Sequence, residues 1–135
     1  MQNRSVDGRK RVMIVSHEAK FALRLADWLA AEGYEVVIAR EAKDVRSLLE
    51  EVKPNAVVLD LALPVVSGME VLRVIRASRP EVPVVTMADA ALHNLALLSI
   101  KAGACGFLLK PFERQQMSRS VAAEIRGPRS GESAA

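Results

Sequence analysis

Residues 56–68 have the sequence AVVLDLALPVVSG, and this stretch contains the features that decide the fold. The uninterrupted apolar run at residues 56–59 predicts a short strand covered on both faces, as strands in parallel sheets are. That strand leads directly into Asp60. A few residues later, Ser67 and Glu70 form a capping-box pattern, which predicts a helix beginning near Gly68. The stretch is therefore a strand, a turn and the start of a helix, with a carboxylate where the strand ends.

The same order of strand and helix repeats along the chain. Strands are predicted at residues 12–15, 35–39, 83–87 and 106–109, and helices at 18–32, 40–52, 68–79, 91–102 and 112–125. Gly33 and Gly103 lie where left-handed caps end the first and fourth helices. Five strand–helix units with short connections predict an α/β fold with a doubly wound parallel sheet. Any functional site is then expected at the carboxyl ends of the strands.

The size and composition indicate one soluble domain. The chain has 135 residues, half of them apolar and 26% charged, which excludes a disordered or collagen-like protein. We expect a flexible segment at residues 1–10, a domain at residues 11–126 and a flexible tail at residues 127–135. Nothing after the fifth helix is long enough to be an output module.

Charge and hydropathy limit the partners. Nineteen Lys and Arg against sixteen Asp and Glu give a net charge of +3, and the basic residues are dispersed without interleaved aromatics. This excess is too small to indicate a nucleic-acid partner. No run approaches the ~20 apolar residues that span a bilayer, and the first ten residues lack the apolar core of a signal peptide. We therefore expect a cytoplasmic protein with no membrane partner.

The chain has a single cysteine, Cys105, which cannot form an internal disulfide. This count indicates a reducing compartment or no redox role. We expect Cys105 to be a small buried residue.

The residues that follow the strands resemble the receiver domain of two-component response regulators. The matching strings are DLALP at 60–64 with Ser67 and Gly68, AGA at 102–104, and FLLKPF at 107–112. The resemblance covers roughly residues 10–126 and implies a flavodoxin-like fold with strand order 2-1-3-4-5. It further implies that a sensor histidine kinase phosphorylates Asp60 and that Lys110 pairs with the phosphoryl group. Phe107 then takes the position of the aromatic residue that reports on activation.

This sequence departs from the family pattern at the metal site. In the family, an acidic pair after the first strand and the phosphorylated aspartate hold Mg²⁺, but here Ser16 and His17 replace the pair. Ser16, His17 and Asp60 therefore form a degenerate site, because Mg²⁺ prefers carboxylate and water oxygens. We expect weak or absent Mg²⁺ binding and no other cofactor. For His17 we favour a neutral ring bonded to a nearby carboxylate or backbone group over a transition-metal site.

The loss of that acidic pair also changes the pocket charge. Asp60 now faces Lys110, and we expect these two to form a standing ion pair that holds one conformation without a metal. Ala88 occupies the position where the family has a Ser or Thr that bonds the phosphoryl group. Asp89 either adds a carboxylate at the pocket rim or caps the fourth helix, and capping is the commoner role.

The predicted fourth helix is apolar around most of its circumference. In receivers this helix, the fifth strand and the fifth helix form the usual surface for dimers and effectors. Leu92, Leu95 and Leu98 therefore form a candidate partner surface. The alternative is that the helix is well buried, or that scattered surface leucines have no role.

Two functions are consistent with these features. The first is an atypical stand-alone receiver, a pseudo-receiver that acts as a phosphorylation-independent or Mg-impaired protein-interaction module. Its partner would be a histidine kinase, a downstream signalling protein or a second copy of the chain. The second function is a phosphoacceptor receiver phosphorylated on Asp60. Neither is an enzyme with an external substrate, and the missing charge stabilisation favours the first.

Overall fold

The computed structural model describes residues 8–126, in which five parallel strands form one sheet. The strand order is β2-β1-β3-β4-β5, and the strands are β1 (Arg11–Val15), β2 (Glu35–Ala39), β3 (Ala56–Asp60), β4 (Val84–Asp89) and β5 (Gly106–Lys110). This order confirms the predicted flavodoxin-like fold of a single domain. Residues 1–7 and 127–135, for which flexibility is predicted, lie outside the described residues.

Five helices connect and cover the strands. They are α1 (Ala19–Ala31), α2 (Val45–Val52), α3 (Gly68–Ser78), α4 (His93–Lys101) and α5 (Arg114–Arg126). Single 3-10 turns at Ala42–Asp44 and Ala90–Leu92 precede α2 and α4, so both α-helices begin later than predicted.

Two further boundaries differ from the prediction for identifiable reasons. Strand β4 extends two residues past Met87 because Ala88 and Asp89 stay in register with the end of β5. Helix α5 begins at Arg114 and not at residue 112, because the Gln116 side chain accepts a hydrogen bond from the Glu113 backbone N–H at 2.9 Å. That contact satisfies a donor at the helix start and fixes where the helix begins.

The core consists of two layers, one on each face of the sheet. Alternate residues of the strands point to opposite faces, so Met13 and Val15 of β1 pack under α2, α3 and α4, whereas Val12 and Ile14 pack under α1 and α5. Coverage on both faces explains why the strand sequences are continuously apolar rather than alternating.

The turn after β3 is fixed by a side-chain cap and by a close backbone approach. The Ser67 hydroxyl accepts a hydrogen bond from the Glu70 backbone N–H at 3.3 Å, which confirms half of the predicted capping box. The Glu70 carboxylate pairs instead with Arg73. Gly68 lies against the backbone that follows Asp60, where an added Cβ would come within 2.4 Å of Leu61 Cα. Only glycine therefore allows α3 to begin this close to the end of β3.

Two predicted side-chain environments were wrong. Cys105 is exposed, because it precedes β5 at the amino edge of the sheet, where its backbone N–H donates to Val84 O and its thiol faces Glu124. Asp89 occupies the position before the 3-10 turn, but its side chain makes no capping hydrogen bond. The predicted cap therefore contributes nothing to α4.

Between residues 8 and 126, no helix has the length and apolarity needed to cross a bilayer.

Candidate functional site

The candidate site lies where the carboxyl ends of β1, β3 and β5 meet at one edge of the sheet. Asp60 is the last residue of β3, Ser16 directly follows β1, and Lys110 is the last residue of β5. Since β3 pairs with both β1 and β4, and β4 pairs with β5, these three side chains converge. The sheet topology thus brings together residues that are up to 94 positions apart in the sequence.

Protein donors surround the Asp60 carboxylate. Lys110 Nζ donates to Asp60 Oδ2 at 2.9 Å, and Ser16 Oγ donates to the same oxygen at 3.1 Å. The backbone N–H of Ala62 donates to Asp60 Oδ1 at 3.0 Å. The Asp60 side chain has no exposed surface, so these three contacts stand in for the water that the carboxylate loses on burial.

Lys110 is enclosed from two further directions. Its side chain is only 11% exposed, and Glu18 Oε1 lies 3.9 Å from Nζ on the solvent side. The ammonium group lies 4.6 Å from the centre of the Phe21 ring, which in turn packs edge-on against Phe112 at 6.0 Å. A cation over an aromatic face is attracted by the ring quadrupole. These contacts hold Lys110 beside Asp60.

Ser16 is built into the loop that enters α1. Its backbone N–H donates to Ala39 O at 3.1 Å, and its hydroxyl oxygen accepts from the Glu18 backbone N–H at 3.3 Å while its proton goes to Asp60. Ser16 is completely buried. A neutral hydroxyl therefore occupies the space where the family pattern has a carboxylate.

His17 does not join the site. It is exposed and lines a neighbouring cavity of about 240 Å³ with Leu63, Pro64 and Val65. Within residues 8–126 its ring makes no hydrogen bond, so the expected bond to a carboxylate or backbone group was wrong. Ser16 is buried and bonded to Asp60, whereas the next residue, His17, is exposed.

The donor set at Asp60 does not fit Mg²⁺. The ion favours oxygen ligands in octahedral geometry, usually with one or two carboxylates free to bind it. Here one buried carboxylate is already bonded to an ammonium and a hydroxyl, and the Glu18 carboxylate faces Lys110. Across the described part of the chain, no three His, Cys, Asp or Glu side chains cluster in a way that could hold a metal ion.

The two positions that the family resemblance associates with switching are Ala88 and Phe107, on the two strands that follow β3 in the sheet. Ala88 is buried and pairs in register with Leu109, and its methyl group offers no hydrogen bond. Phe107 is half-buried and meets the His93 ring edge-on at 5.8 Å. Phe107 lies on β5 as predicted, whereas Ala88 lies within β4 and not after it, because the strand continues to Asp89.

A buried hydroxyl pair, which sequence reasoning missed, fastens α4 to the sheet. Thr86 Oγ1 and Ser99 Oγ are 2.8 Å apart, and Ser99 Oγ also donates to Ala96 O at 2.6 Å. Since Ser99 has one proton, Thr86 is the donor in the shared bond. The only sequence signal was a serine on an otherwise apolar helix.

The candidate partner surface on α4 is exposed, with one correction. Leu92 and Leu98 are 40% and 52% exposed, but Leu95 is half-buried and packs on the core. Leu97 and Ile100, at 46% and 39%, are exposed as well. The outward apolar surface is therefore Leu92, Leu97, Leu98 and Ile100, which we call the α4 surface.

The fold and the site together define a phosphoreceiver-type signalling domain. The model of the response regulator receiver domain family matches residues 12–122. The chain therefore belongs to that family, whose members act in two-component signalling.

Individual relatives support this assignment. The chain is 34% identical to the chemotaxis protein CheY of Thermotoga maritima over 115 residues, which is 83% of this chain and 94% of CheY. It is 30% identical over 118 residues to the DNA-binding response regulator MtrA of Mycobacterium tuberculosis strain H37Rv, covering 87% of this chain and 51% of MtrA. The chain thus spans about half the length of MtrA.

Solved structures show the same fold. The receiver domain of NtrX from Brucella abortus superimposes with a TM-score of 0.83 at 26% identity, covering 85% of this chain and 98% of that domain. A CheY-like receiver domain protein from Methanospirillum hungatei gives 0.82 at 25% identity, covering 87% and 94%.

Proposed function

We propose that this receiver is a pseudo-receiver: a protein-interaction module whose output does not depend on Mg²⁺-assisted phosphorylation of Asp60. One observation carries the proposal: Lys110 and Ser16 both already donate to Asp60 Oδ2. The charge of the Asp60 carboxylate is therefore already balanced by protein groups, without a metal ion or a phosphoryl group.

The electrostatic balance favours the standing pair over a bound dication. Opposite charges at about 4 Å attract by roughly 4 kcal/mol at an effective dielectric of about 20, before desolvation is subtracted. A metal at Asp60 would have to compete with this attraction while lacking the two carboxylates that the family supplies. Lys110 is further held by Glu18 and Phe21, so moving it away breaks several contacts at once.

The chain also lacks a donor for the transferred group. When an aspartate oxygen attacks phosphorus, charge spreads over the phosphoryl oxygens and needs fixed donors to stabilise it. Lys110 and the Ala62 N–H are such donors, but Ala88 has none, and Thr86 donates to Ser99 inside the core. Removing one such donor typically lowers a rate by about two orders of magnitude or more.

A phosphoacceptor role on Asp60 is the second candidate, and the position of Asp60 beside Lys110 favours it. In this role Asp60 Oδ1 attacks the phosphorus of a kinase phosphohistidine. The P–N bond breaks, an acyl phosphate forms, and the histidine keeps the electron pair of the broken bond and takes up a proton. Both candidates act on a protein partner, and in neither does the domain turn over an external substrate.

Intact-mass measurement after incubation with acetyl phosphate and Mg²⁺ separates the two candidates. We expect no gain of a phosphoryl group in the wild-type chain. The triple variant Ser16→Asp, His17→Asp, Ala88→Thr restores the family pattern and should gain one, and adding Asp60→Asn to it should abolish the gain. A wild-type chain that is phosphorylated as fast as the triple variant would establish the phosphoacceptor role instead.

We further propose that the partner binds through the α4 surface together with β5 and α5, as a histidine kinase, a downstream signalling protein or a second copy of the chain. The large exposed fractions of Leu97 and Leu98 support this surface. Apolar side chains exposed together on one helix gain free energy when a partner removes them from water. The dispersed basic residues and small net charge support a cytoplasmic protein partner over nucleic acid.

A further inference from the structure

A cavity rich in cations lies at the amino end of the sheet, opposite Asp60. Its volume is about 500 Å³, and it is bounded by the loops that enter β3, β4 and β5 and by the end of α5. The charged residues that line it are Lys53, Arg76, Arg79, Glu81 and Glu124. Neither the fold nor the proposed interaction role of the domain requires this cluster.

Arg76 has hydrogen-bond donors that nothing in the protein satisfies. Its Nη1 donates to Pro80 O at 3.0 Å, but Nε and Nη2 are buried and have no partner. The side chain passes so close to Gly103 that a Cβ there would lie 2.7 Å from Arg76 Cδ. Leaving buried charged donors without acceptors is destabilising. A ligand that supplies an acceptor to the Arg76 guanidinium would therefore gain binding free energy.

The nearby carboxylates are engaged elsewhere. Glu81 Oε2 accepts from Arg79 Nε at 2.7 Å, and this bond is the main reason that the pKa of Glu81 is lowered; Arg76 contributes least. Glu124 faces Cys105. Among the described residues, neither Arg76 nor Lys53 forms an ion pair. Three cations and two carboxylates therefore line this cavity, which leaves an excess of one positive charge.

We propose that this cavity binds the phosphate group of a small phosphorylated molecule, with Arg76 as the anchor and Lys53 at the rim. The planar fork of an arginine matches two phosphate oxygens, and the excess of positive charge at the cavity favours an anion. The cavity is larger than a phosphate ion and falls within the range of small-molecule sites, so it has room for the remainder of the ester.

Nuclear magnetic resonance titration of the full chain tests the site. Inorganic phosphate and glucose 6-phosphate serve as probes, and sodium chloride at equal ionic strength controls for screening. We expect saturable shifts with both probes, and none with chloride, at the Gly103 and Cys105 amides and at the Arg76 Nε–H. No saturable shift with either probe overturns the site, and shifts with inorganic phosphate but not with the ester overturn the ligand class.

Matched variants assign the binding to one residue. Arg76→Gln should weaken the binding of glucose 6-phosphate about tenfold or more. Arg73→Gln, one turn earlier on α3 at an exposed position paired with Glu70, should leave it unchanged. Equal weakening in both variants overturns the role of Arg76. If Arg76→Gln does not fold, the wild-type titration decides the same question: a saturable shift of the Arg76 Nε–H larger than that of the Arg73 Nε–H supports Arg76 as the anchor, and equal shifts overturn its role.

Discussion

At the scale of single residues, the site is built on a buried ion pair between Asp60 and Lys110. Ser16 supplies a hydroxyl to the same carboxylate oxygen that accepts from Lys110. A buried charge is tolerated only while it is paired and hydrogen-bonded. Asp60 and Lys110 are therefore expected to be far more important for stability than exposed ion pairs such as Lys43 with Glu41.

Replacing Lys110 by Met should lower the free energy of unfolding by about 3 kcal/mol, because it leaves Asp60 buried without a counter-ion. Urea denaturation measures the loss. Lys101→Met is the matched control: this lysine is exposed at the end of α4, and its replacement should change stability by less than about 0.5 kcal/mol. Equal losses in the two variants would show that the Asp60–Lys110 pair is not a structural ion pair.

The thiol of Cys105 should react slowly at neutral pH even though the residue is exposed. Partial burial, and to a lesser degree the Glu124 carboxylate, raise the pKa of Cys105 above its ordinary value. Only the thiolate is nucleophilic, so alkylation should be slower than in the urea-unfolded chain at pH 8, and the ratio should approach one at higher pH. Glu124→Gln should speed alkylation of the folded protein. Because Cys105 is the one cysteine, iodoacetamide labelling followed by mass measurement reads this site alone.

At the scale of elements, α4 differs from the other helices in how it is held. Its inner side contacts the sheet through Ala96 and through Ser99, whose bond to Thr86 is completely buried. Its outer side exposes apolar and polar side chains together: Leu97, Leu98, Ile100, His93, Asn94 and Lys101. A buried polar bond fixes the position of the helix, since a slide along the sheet would leave both hydroxyls unpaired. The α4 surface is thus presented in one defined orientation.

Substituting leucines on α4 should separate folding from association. Leu98→Glu places a charge on an exposed position and should abolish self-association or partner binding while the thermal midpoint changes little. Leu95→Glu buries part of a charge in the core and should destabilise the fold by about 2–3 kcal/mol or more. Analytical ultracentrifugation and thermal unfolding of both variants measure the two effects. Unchanged association in Leu98→Glu would reject the α4 surface.

The elements were largely predictable from sequence, whereas the directions of individual side chains were not. Strand and helix order follows from local periodicity, and the topology of parallel strands then places Asp60 beside Lys110. Helix α4 is apolar on nearly every side, so no pattern distinguishes the half-buried Leu95 from the exposed Leu98. The Thr86–Ser99 bond depends on the packing of two elements, which no local signal encodes.

At the scale of the whole molecule, the two ends of the sheet have different chemistry. At the carboxyl end the Asp60 carboxylate is paired with Lys110, whereas at the amino end Arg76 has two buried donors without a partner among the described residues. The apolar α4 surface lies on one side of the sheet between them. A ligand bound in the cavity at the amino end would therefore be separated from Asp60 by the full length of the strands.

Mg²⁺ should not stabilise the wild-type chain as a whole. A ligand that binds only the native state raises stability in proportion to RT ln(1 + [L]/Kd), so about 10 mM Mg²⁺ stabilises only if the dissociation constant is in the millimolar range or below. We expect the thermal midpoint to stay within about 1 °C, and the double variant Ser16→Asp, His17→Asp to gain several degrees. A comparable gain in the wild-type chain would demonstrate a metal site that the donor set does not suggest.

The contact of Gly68 with the backbone after Asp60 affects how readily the side chains around Asp60 can be exchanged during evolution. The loop that presents the carboxylate is held by a glycine contact and by the Gly68 N–H bond to Leu61 O at 3.2 Å. The backbone around Asp60 is thus held in place by contacts that do not involve the other side chains of the site. We therefore expect the three substitutions that restore the family pattern, at Ser16, His17 and Ala88, to leave the shape of this loop unchanged.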